Sequence, residues 1–305
     1  MTTEFKMSEN VRKRSGVVFD KLVPYFLILP AVLLMIVFLI YPAIASFEFS
    51  LQSYNLVKPD AIEFIGLDNY VRIFRDSGLR VVIFNSVYIL IATVTLSFIG
   101  SILIASILNR PIWGRNILLA IVILPWALPS VVNALLWNNV FSPLYGALNG
   151  LLYGLGLIDQ YIVWTNGSLA TINIIILILL WKTLPILSII VLSAMQAIPE
   201  DLYEAARMDG ANALKSFWYV TLPSIMPSLA IVLSISSIIA LNVFDEIYVL
   251  ARYRSDTRSL AMEAYMQAFR FLDLGFGSAI AYVLLLGGAL ASLAYMRNLF
   301  REIRS

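Results

Sequence analysis

Few residues in the apolar part of this 305-residue chain can carry charge. One cation, Lys182, and one acid pair, Asp245-Glu246, stand within or at the end of long uncharged runs. Ionisable groups inside a membrane mark a solute path, a proton relay or a buried pair. The sequence has no histidine and no cysteine, which excludes His-based triads, thiol nucleophiles, Cys/His metal sites and disulfides. An intramembrane enzyme would have to work with Lys182, Asp245 and Glu246 alone, a poor set for nucleophilic or proton-transfer chemistry.

Aromatic and uncharged polar residues extend this set. At 100° per residue, Trp126, Pro129, Asn133 and Trp137 fall within an arc of roughly 80°. Indole faces and an amide suit a pyranose, which has apolar C–H faces and a ring of hydroxyls. The same pattern also fits a proline-kinked packing face with interfacial tryptophans. Ser234, Ser237, Asp245 and Tyr248 form a second stripe, with Asn242 at its edge. Such a stripe lines a path or makes interhelical hydrogen bonds. Lys182 lies half a turn from Asn173, and Pro185 leaves the Trp181 carbonyl without its usual donor. Lys182 either satisfies carbonyls at that kink, the reading preferred here, or pairs with a pathway acid or the solute.

Residues 196–222 form a different kind of site. Pro199-Glu200-Asp201 reads as a helix start, with acids at the positive dipole end. Gly210 can take the left-handed conformation that ends a helix, and a second helical stretch with Leu214, Phe217 and Trp218 leads to Pro223. Acids outnumber bases in this loop, whereas a loop facing anionic lipid is usually basic. A protein partner is therefore expected on it.

The elements that position these groups are membrane spans. Hydrophobic residues make up 60% and charged residues 13% of the chain, against about 45–50% and about 25% in soluble domains; mean hydropathy is +0.86. Spans of about 20 apolar residues are expected at about 24–47, 81–108, 116–141, 168–195, 223–250 and 275–296, between a polar segment 1–23 and a tail 297–305. The basic start and Ala43-Ile44-Ala45 also resemble a signal peptide, but the apolar run is too long for one, so the first span is expected to stay. Pro125 and Pro129 should kink the third span. Residues 48–80 and 251–274 read as external loops, the first with a surface helix through Tyr70–Phe74. Residues 142–167 read as an external or re-entrant hairpin whose Gly-xxx-Gly spacing allows close packing. Lys and Arg number twelve on the N-terminal side and eight on the other, which places both termini in the cytoplasm.

Glu204-Ala205-Ala206-x-x-Asp209-Gly210-Ala211, with Phe217 and Pro223 following, resembles the EAA loop of binding-protein-dependent ABC importer permeases. Leu29-Pro30, Tyr41-Pro42, the run Phe64–Tyr70, Trp181-Lys182-Thr183 and the run Phe244–Leu250 are similar to the sugar-importer members of the maltose and glycerol-phosphate type. The resemblance implies an all-α type I importer permease in the cell membrane, with six spans surrounded by lipid. Glu204, Ala205, Ala206, Asp209, Gly210 and Ala211 would seat in a groove of an ATPase subunit. The implied partners are two ATPase subunits, a second permease and an extracytoplasmic solute-binding protein; no nucleic acid is expected. The implied solute is a sugar, oligosaccharide or polyol phosphate. No Gly-x-x-x-x-Gly-Lys-Ser/Thr phosphate loop is present, so ATP and Mg are expected on the ATPase subunits and no cofactor on this chain. The pathway candidates are Trp126, Asn133, Trp137, Lys182, Ser237, Asn242, Asp245 and Tyr248. The competing classes are an ATP-independent channel or receptor and an intramembrane enzyme.

Overall fold

The computed structural model describes residues 23–58, 62–111 and 113–302, without the side chains of residues 294 and 296–302. The basic residues of segment 1–22 and Arg304, counted above toward the cytoplasmic side, lie outside the described residues.

Five long apolar helices and one bent pair make up the membrane part. They are α1 (Val23–Ser50), α3 (Ser77–Leu108), α7 (Ser168–Gln196), α9 (Leu222–Leu241) and α12 (Leu274–Glu302). The pair joins α4 (Arg115–Ile123), with its 3-10 extension Leu124–Ala127, to α5 (Ser130–Val140). α3, α7 and α9 interlock through Leu108, Leu187, Val191, Ile225 and Leu229 at one end and Ile89, Ile172, Ile175 and Leu179 at the other. Most other faces are apolar and exposed, as a lipid-facing surface must be. α1 stands largely clear of the bundle and meets α12 through Phe47 against Tyr282, ring centroids 5.2 Å apart.

The third span is bent by 98°, far beyond a proline kink. Leu128 is extended (ψ 135°), as the residue before a proline must often be, and Pro129 has no N–H to continue the ladder. α9 also stops short of the expected 223–250 span: Asn242–Phe244 break the rod before α10 (Asp245–Leu250). No proline or glycine stands at this break. Side chains support it: Asn242 Nδ2 adds a second donor to Ile238 O at 2.8 Å, and Ser259 Oγ donates to Val243 O at 2.7 Å. α7, by contrast, stays helical through Pro185.

The segments expected to be external are built in, not draped. Residues 251–274, expected as an external loop, are largely helical. They hold α11 (Leu260–Tyr265), extended by the π turn Met266–Arg270, with Met262 and Met266 fully buried. Two of their charges pair inside the fold, Arg258 with Glu263 at 2.9 Å, both largely buried. Asn85 of α3 donates to the Asp256 and Arg258 carbonyls. Arg254 grips Asp256 at 2.8 Å, and that bond holds the Asp256 carboxyl below its usual range.

The surface helix expected in 48–80 is α2 (Asp68–Arg75), anchored by buried Ile73 and by Asn69, whose amide donates to Ser50 O and Gln52 O. The strand pair β1 (Gln52–Ser53) and β2 (Glu63–Phe64) presses on the start of α12, where a Cβ at Gly275 would lie 2.2 Å from Gln52 O.

In 142–167, helix α6 (Ala147–Gly154) is held by Asn149. The Asn149 amide donates to the Ile162 and Ser142 carbonyls and its oxygen accepts from Ile162 N and Trp164 Nε1. Of the Gly-xxx-Gly positions, Gly146 lies tight against the Val140 and Ser142 carbonyls at the end of α5, with no room for a Cβ, whereas a Cβ on Gly154 would meet nothing.

Candidate functional site

Two sites stand out, one at a loop and one between broken helices. At the loop, α8 (Glu200–Met208) follows Pro199, with Glu200 and Asp201 in its first turn. Gly210 ends it at φ 76°, and the Ala211 N–H returns to Ala206 O at 2.9 Å, closing the helix end. Asn212 Oδ1 then caps the next helix by accepting from Lys215 N. That helix is not separate from the fifth span. Ala213–Ser216 runs through a π turn, Phe217–Thr221, into α9, and the π turn absorbs the donor missing at Pro223.

No residue of α8 is buried. Glu204, Ala205, Asp209 and Gly210 are exposed, and Ala206 and Ala211 are half-buried. Leu202, Met208 and Leu214 add exposed apolar surface around them. Arg207 holds Glu200 at 3.0 Å and reaches Glu204 at 3.9 Å. Tyr203 and Thr221 share a 2.9 Å hydrogen bond that ties α8 to the base of α9. A cavity of about 680 Å³ behind the helix reaches Asn109 and Arg110 at the end of α3. α8 is thus an exposed amphipathic helix with small residues on its open side, the kind of element that can lie in a groove of another protein.

The second site is a cavity of about 360 Å³ where both helix breaks meet α7. Trp126 and Ser130 flank the first break, Leu179, Lys182 and Thr183 come from α7, and Asn242 to Glu246 form the second break. Lys182 Nζ donates to Ser130 Oγ, across the bend of the third span. It serves a hydroxyl on the neighbouring helix, not the carbonyls of its own kink. Glu246, in the first turn of α10, is 3% exposed and faces the cavity.

Trp126, Lys182, Asn242 and Asp245 therefore come together, and the other four pathway candidates do not. The 98° bend separates Trp126 from Asn133 and Trp137, so their common arc does not exist. Asn133 is fully buried against α7, its amide 3.5 Å from Ile178 O and its Oδ1 unpartnered. Trp137 packs edge-on against Trp181 at 5.7 Å. Ser237 is buried and donates to Leu233 O, and Tyr248 lies past the second break, where it meets Tyr253. The sequence reading missed Ser130, Thr183 and the separate role of Glu246. The Asp-Glu pair after an asparagine was the available signal for a new helix start. Ala281, Gly288, Ala289 and Ser292 of α12 line a further groove of about 610 Å³ against α9 and α11.

Six apolar spans, two of them broken around a polar cavity, with a helix offered to a protein from an inter-span loop, define a membrane transport subunit. Residues 97–305 match the family described as the binding-protein-dependent transport system inner membrane component. The chain belongs to that family and is an ABC transporter permease. It is 35% identical to the trehalose/maltose transport system permease protein MalF of Thermococcus litoralis, over 84% of this chain and 86% of that one. It is 32% identical to the sulfoquinovosyl glycerol transport system permease protein SmoG of Agrobacterium fabrum, over 91% and 90%. It is 30% identical to the trehalose transport system permease protein SugA of Mycobacterium tuberculosis, over 91% and 88%. Its fold matches a chain of a bacterial ABC transporter involved in the import of the acidic polysaccharide alginate, with TM-score 0.80, 24% identity, and 95% and 99% of the two chains covered.

Proposed function

We propose that this chain is the sugar-conducting permease subunit of an ATP-driven, binding-protein-dependent importer that works by alternating access. The observation that carries the reading is the polar cavity at two helix breaks in an otherwise apolar bundle. Non-helical backbone at membrane depth is tolerated where it lines such a cavity. Its 360 Å³ sits at the small end of the roughly 300–1,000 Å³ common for small-molecule pockets. A second permease subunit, proposed to be a different chain, would complete it. The names of the relatives, for trehalose, maltose and sulfoquinovosyl glycerol transport, support a carbohydrate solute.

The chain is proposed to be non-catalytic. ATP and Mg²⁺ belong to two separate ATPase subunits, which dock on α8 through Glu204, Ala205, Ala206, Asp209, Gly210 and Ala211. An extracytoplasmic solute-binding protein delivers the sugar to the opposite face. With α8 inside, both termini are inside, in line with the excess of Lys and Arg on that side.

Charge narrows the solute. Lys182 is the one basic residue on the cavity wall and is engaged by Ser130, while Asp245 and Glu246 oppose it. With two carboxyls facing one lysine, the wall offers no spare cation to a uronate, sulfonate or phosphate, whose burial needs one. An uncharged sugar is the class this wall suits.

The test is co-purification with the ATPase and binding protein, followed by reconstitution in liposomes. An uncharged di- or oligosaccharide should stimulate ATP hydrolysis and accumulate, and anionic sugars should not. Sugar flux through this chain alone, without ATP, would replace the importer with a channel. Substrate turnover by the purified chain would replace it with an enzyme.

A further inference from the structure

Next to the cavity lies a set of aromatic rings that the reading above does not use. Phe244, on the cavity wall, stacks on Tyr248 with centroids 5.8 Å apart and planes at 16°. It also meets Tyr265 at 4.8 Å. Tyr248 continues edge-on to Tyr253 at 5.8 Å, and Tyr265 continues to Phe269 at 5.1 Å. The Arg270 guanidinium lies 3.9 Å over the Tyr253 ring.

These rings come from α10, the turn after it and the helical stretch from α11 to Arg270, so no single helix face produces the set. They touch one another and still leave much of their surface open: Tyr248 is 41%, Tyr253 46%, Tyr265 42% and Phe269 68% exposed. Among the described residues, the non-glycine residues at positive φ are Arg252 at 52° and Leu272 at 58°. They bracket the segment that carries Tyr253, Tyr265 and Phe269. Strained backbone of this kind clusters where a surface has a job beyond packing.

Exposed tyrosines in a membrane protein commonly form an interfacial belt, spaced around the circumference. Here the rings are contiguous, start from a cavity-lining residue, and the Tyr248 and Tyr253 hydroxyls share a 3.3 Å hydrogen bond with each other.

We propose that Phe244, Tyr248, Tyr253, Tyr265 and Phe269 form an aromatic track along which sugar rings pass between the external surface and the cavity. Open ring faces take the C–H faces of a pyranose, and the two tyrosine hydroxyls and Arg270 offer hydrogen bonds at the edges. A row of successive rings suits a solute of two or more sugar units, which can hold one ring while releasing the next. The proposal rests on the sugar-permease reading above.

The experiment uses the reconstituted complex with its ATPase and binding protein, and maltose and maltotriose as probes. Tyr265→Leu and Phe269→Leu are compared with the parent and with the ring-retaining Tyr265→Phe and Phe269→Tyr. Each lost ring should lower sugar uptake per inserted complex about two- to tenfold, the size of one aromatic contact. The loss should be greater for maltotriose, and the ring-retaining variants should recover most of it. Phe269 supports little packing at 68% exposure, so its variants remain informative if Tyr265→Leu does not insert. If the leucine variants lower only the amount of inserted protein and leave uptake per complex at the parent value, the rings are a belt and the proposal fails. If the parent complex shows no sugar-stimulated ATP hydrolysis with any sugar, the sugar-permease reading itself fails, a result separate from the variant comparison.

Discussion

The 196–222 loop, proposed to dock the ATPase, and the polar cavity, proposed to carry the solute, are both helix, break, helix, yet they are stabilised in different ways. In the loop every break is met locally. Gly210 supplies the left-handed residue, the Ala211 N–H reaches back to Ala206 O, and Asn212 caps the helix that follows it. In the cavity the breaks are met partly from afar. Lys182 reaches across to Ser130, and Ser259, sixteen residues on, donates to the Val243 carbonyl. The reason is solvent. Carbonyls freed at the loop face water, whereas those freed inside the bundle need a partner from the protein. The loop should therefore respond to changes in its own residues, and the cavity to changes elsewhere.

The largest effect is expected at Gly210. Nothing lies within 4 Å of a Cβ placed there, so a substitution costs only backbone strain at φ 76°. An L-residue in this region costs about 1–2 kcal/mol, and a β-branched one more. Gly210→Val should lower ATP-driven uptake roughly tenfold or more, while the chain still inserts. Gly210→Asn, which tolerates the left-handed region, should retain most of it. Proteoliposome uptake with ATP hydrolysis measured in parallel separates lost coupling from lost docking. Equal effects from valine and asparagine would mean that the backbone bend is not what matters.

A distant residue should come next. Ser259 is buried, donates to Val243 O and caps α11 by accepting from Met262 N at 3.2 Å. Ser259→Ala leaves a buried carbonyl unpaired, at a cost of about 1–3 kcal/mol. It should lower the unfolding temperature and impair uptake although Ser259 does not line the cavity. The loop counterpart, Asn212→Ala, removes one exposed cap worth about 1 kcal/mol. It should leave cavity function intact and weaken only ATPase engagement, read as a right shift in a titration with the ATPase subunit. If Ser259→Ala proves silent while Asn212→Ala damages uptake more, the contrast between the two regions is wrong.

This contrast also explains what could be read from the chain. The helix of the docking loop was legible because Pro199, the two acids and Gly210 lie within twelve residues and act on each other. What was missed there is continuity: the second arm is the start of α9, since Phe217–Thr221 accommodates Pro223 without a break. The long spans were legible from hydropathy. The cavity was legible only as a set of suspects. Helical-wheel angles assume a straight rod, and both rods that carried the candidate stripes are broken, one by 98° and one at Asn242–Phe244. The first break had proline to announce it, but not its size. The second had no proline or glycine, only Asn242 and the Asp245-Glu246 pair, and its other support, Ser259, lies sixteen residues on. In residues 251–274, read only as an external loop, nothing in spacing shows that Arg258 and Glu263 pair inside the fold.

The smallest effect tests whether α8 moves as one piece with the span it serves. Tyr203 and Thr221 join them through a single part-buried hydrogen bond at 2.9 Å, and each hydroxyl can donate or accept. Tyr203→Phe keeps the ring and its packing and removes only this bond, worth about 0.5–1.5 kcal/mol. If that tie transmits motion from the ATPase to α9, the variant should hydrolyse ATP at the parent rate but import less sugar per ATP, by about twofold. Thr221→Val should do the same, and the double variant no more than either alone, because both remove one interaction. Additive losses would mean that the two residues act separately, and that the loop couples to the bundle through the continuous helix at Phe217–Thr221 alone.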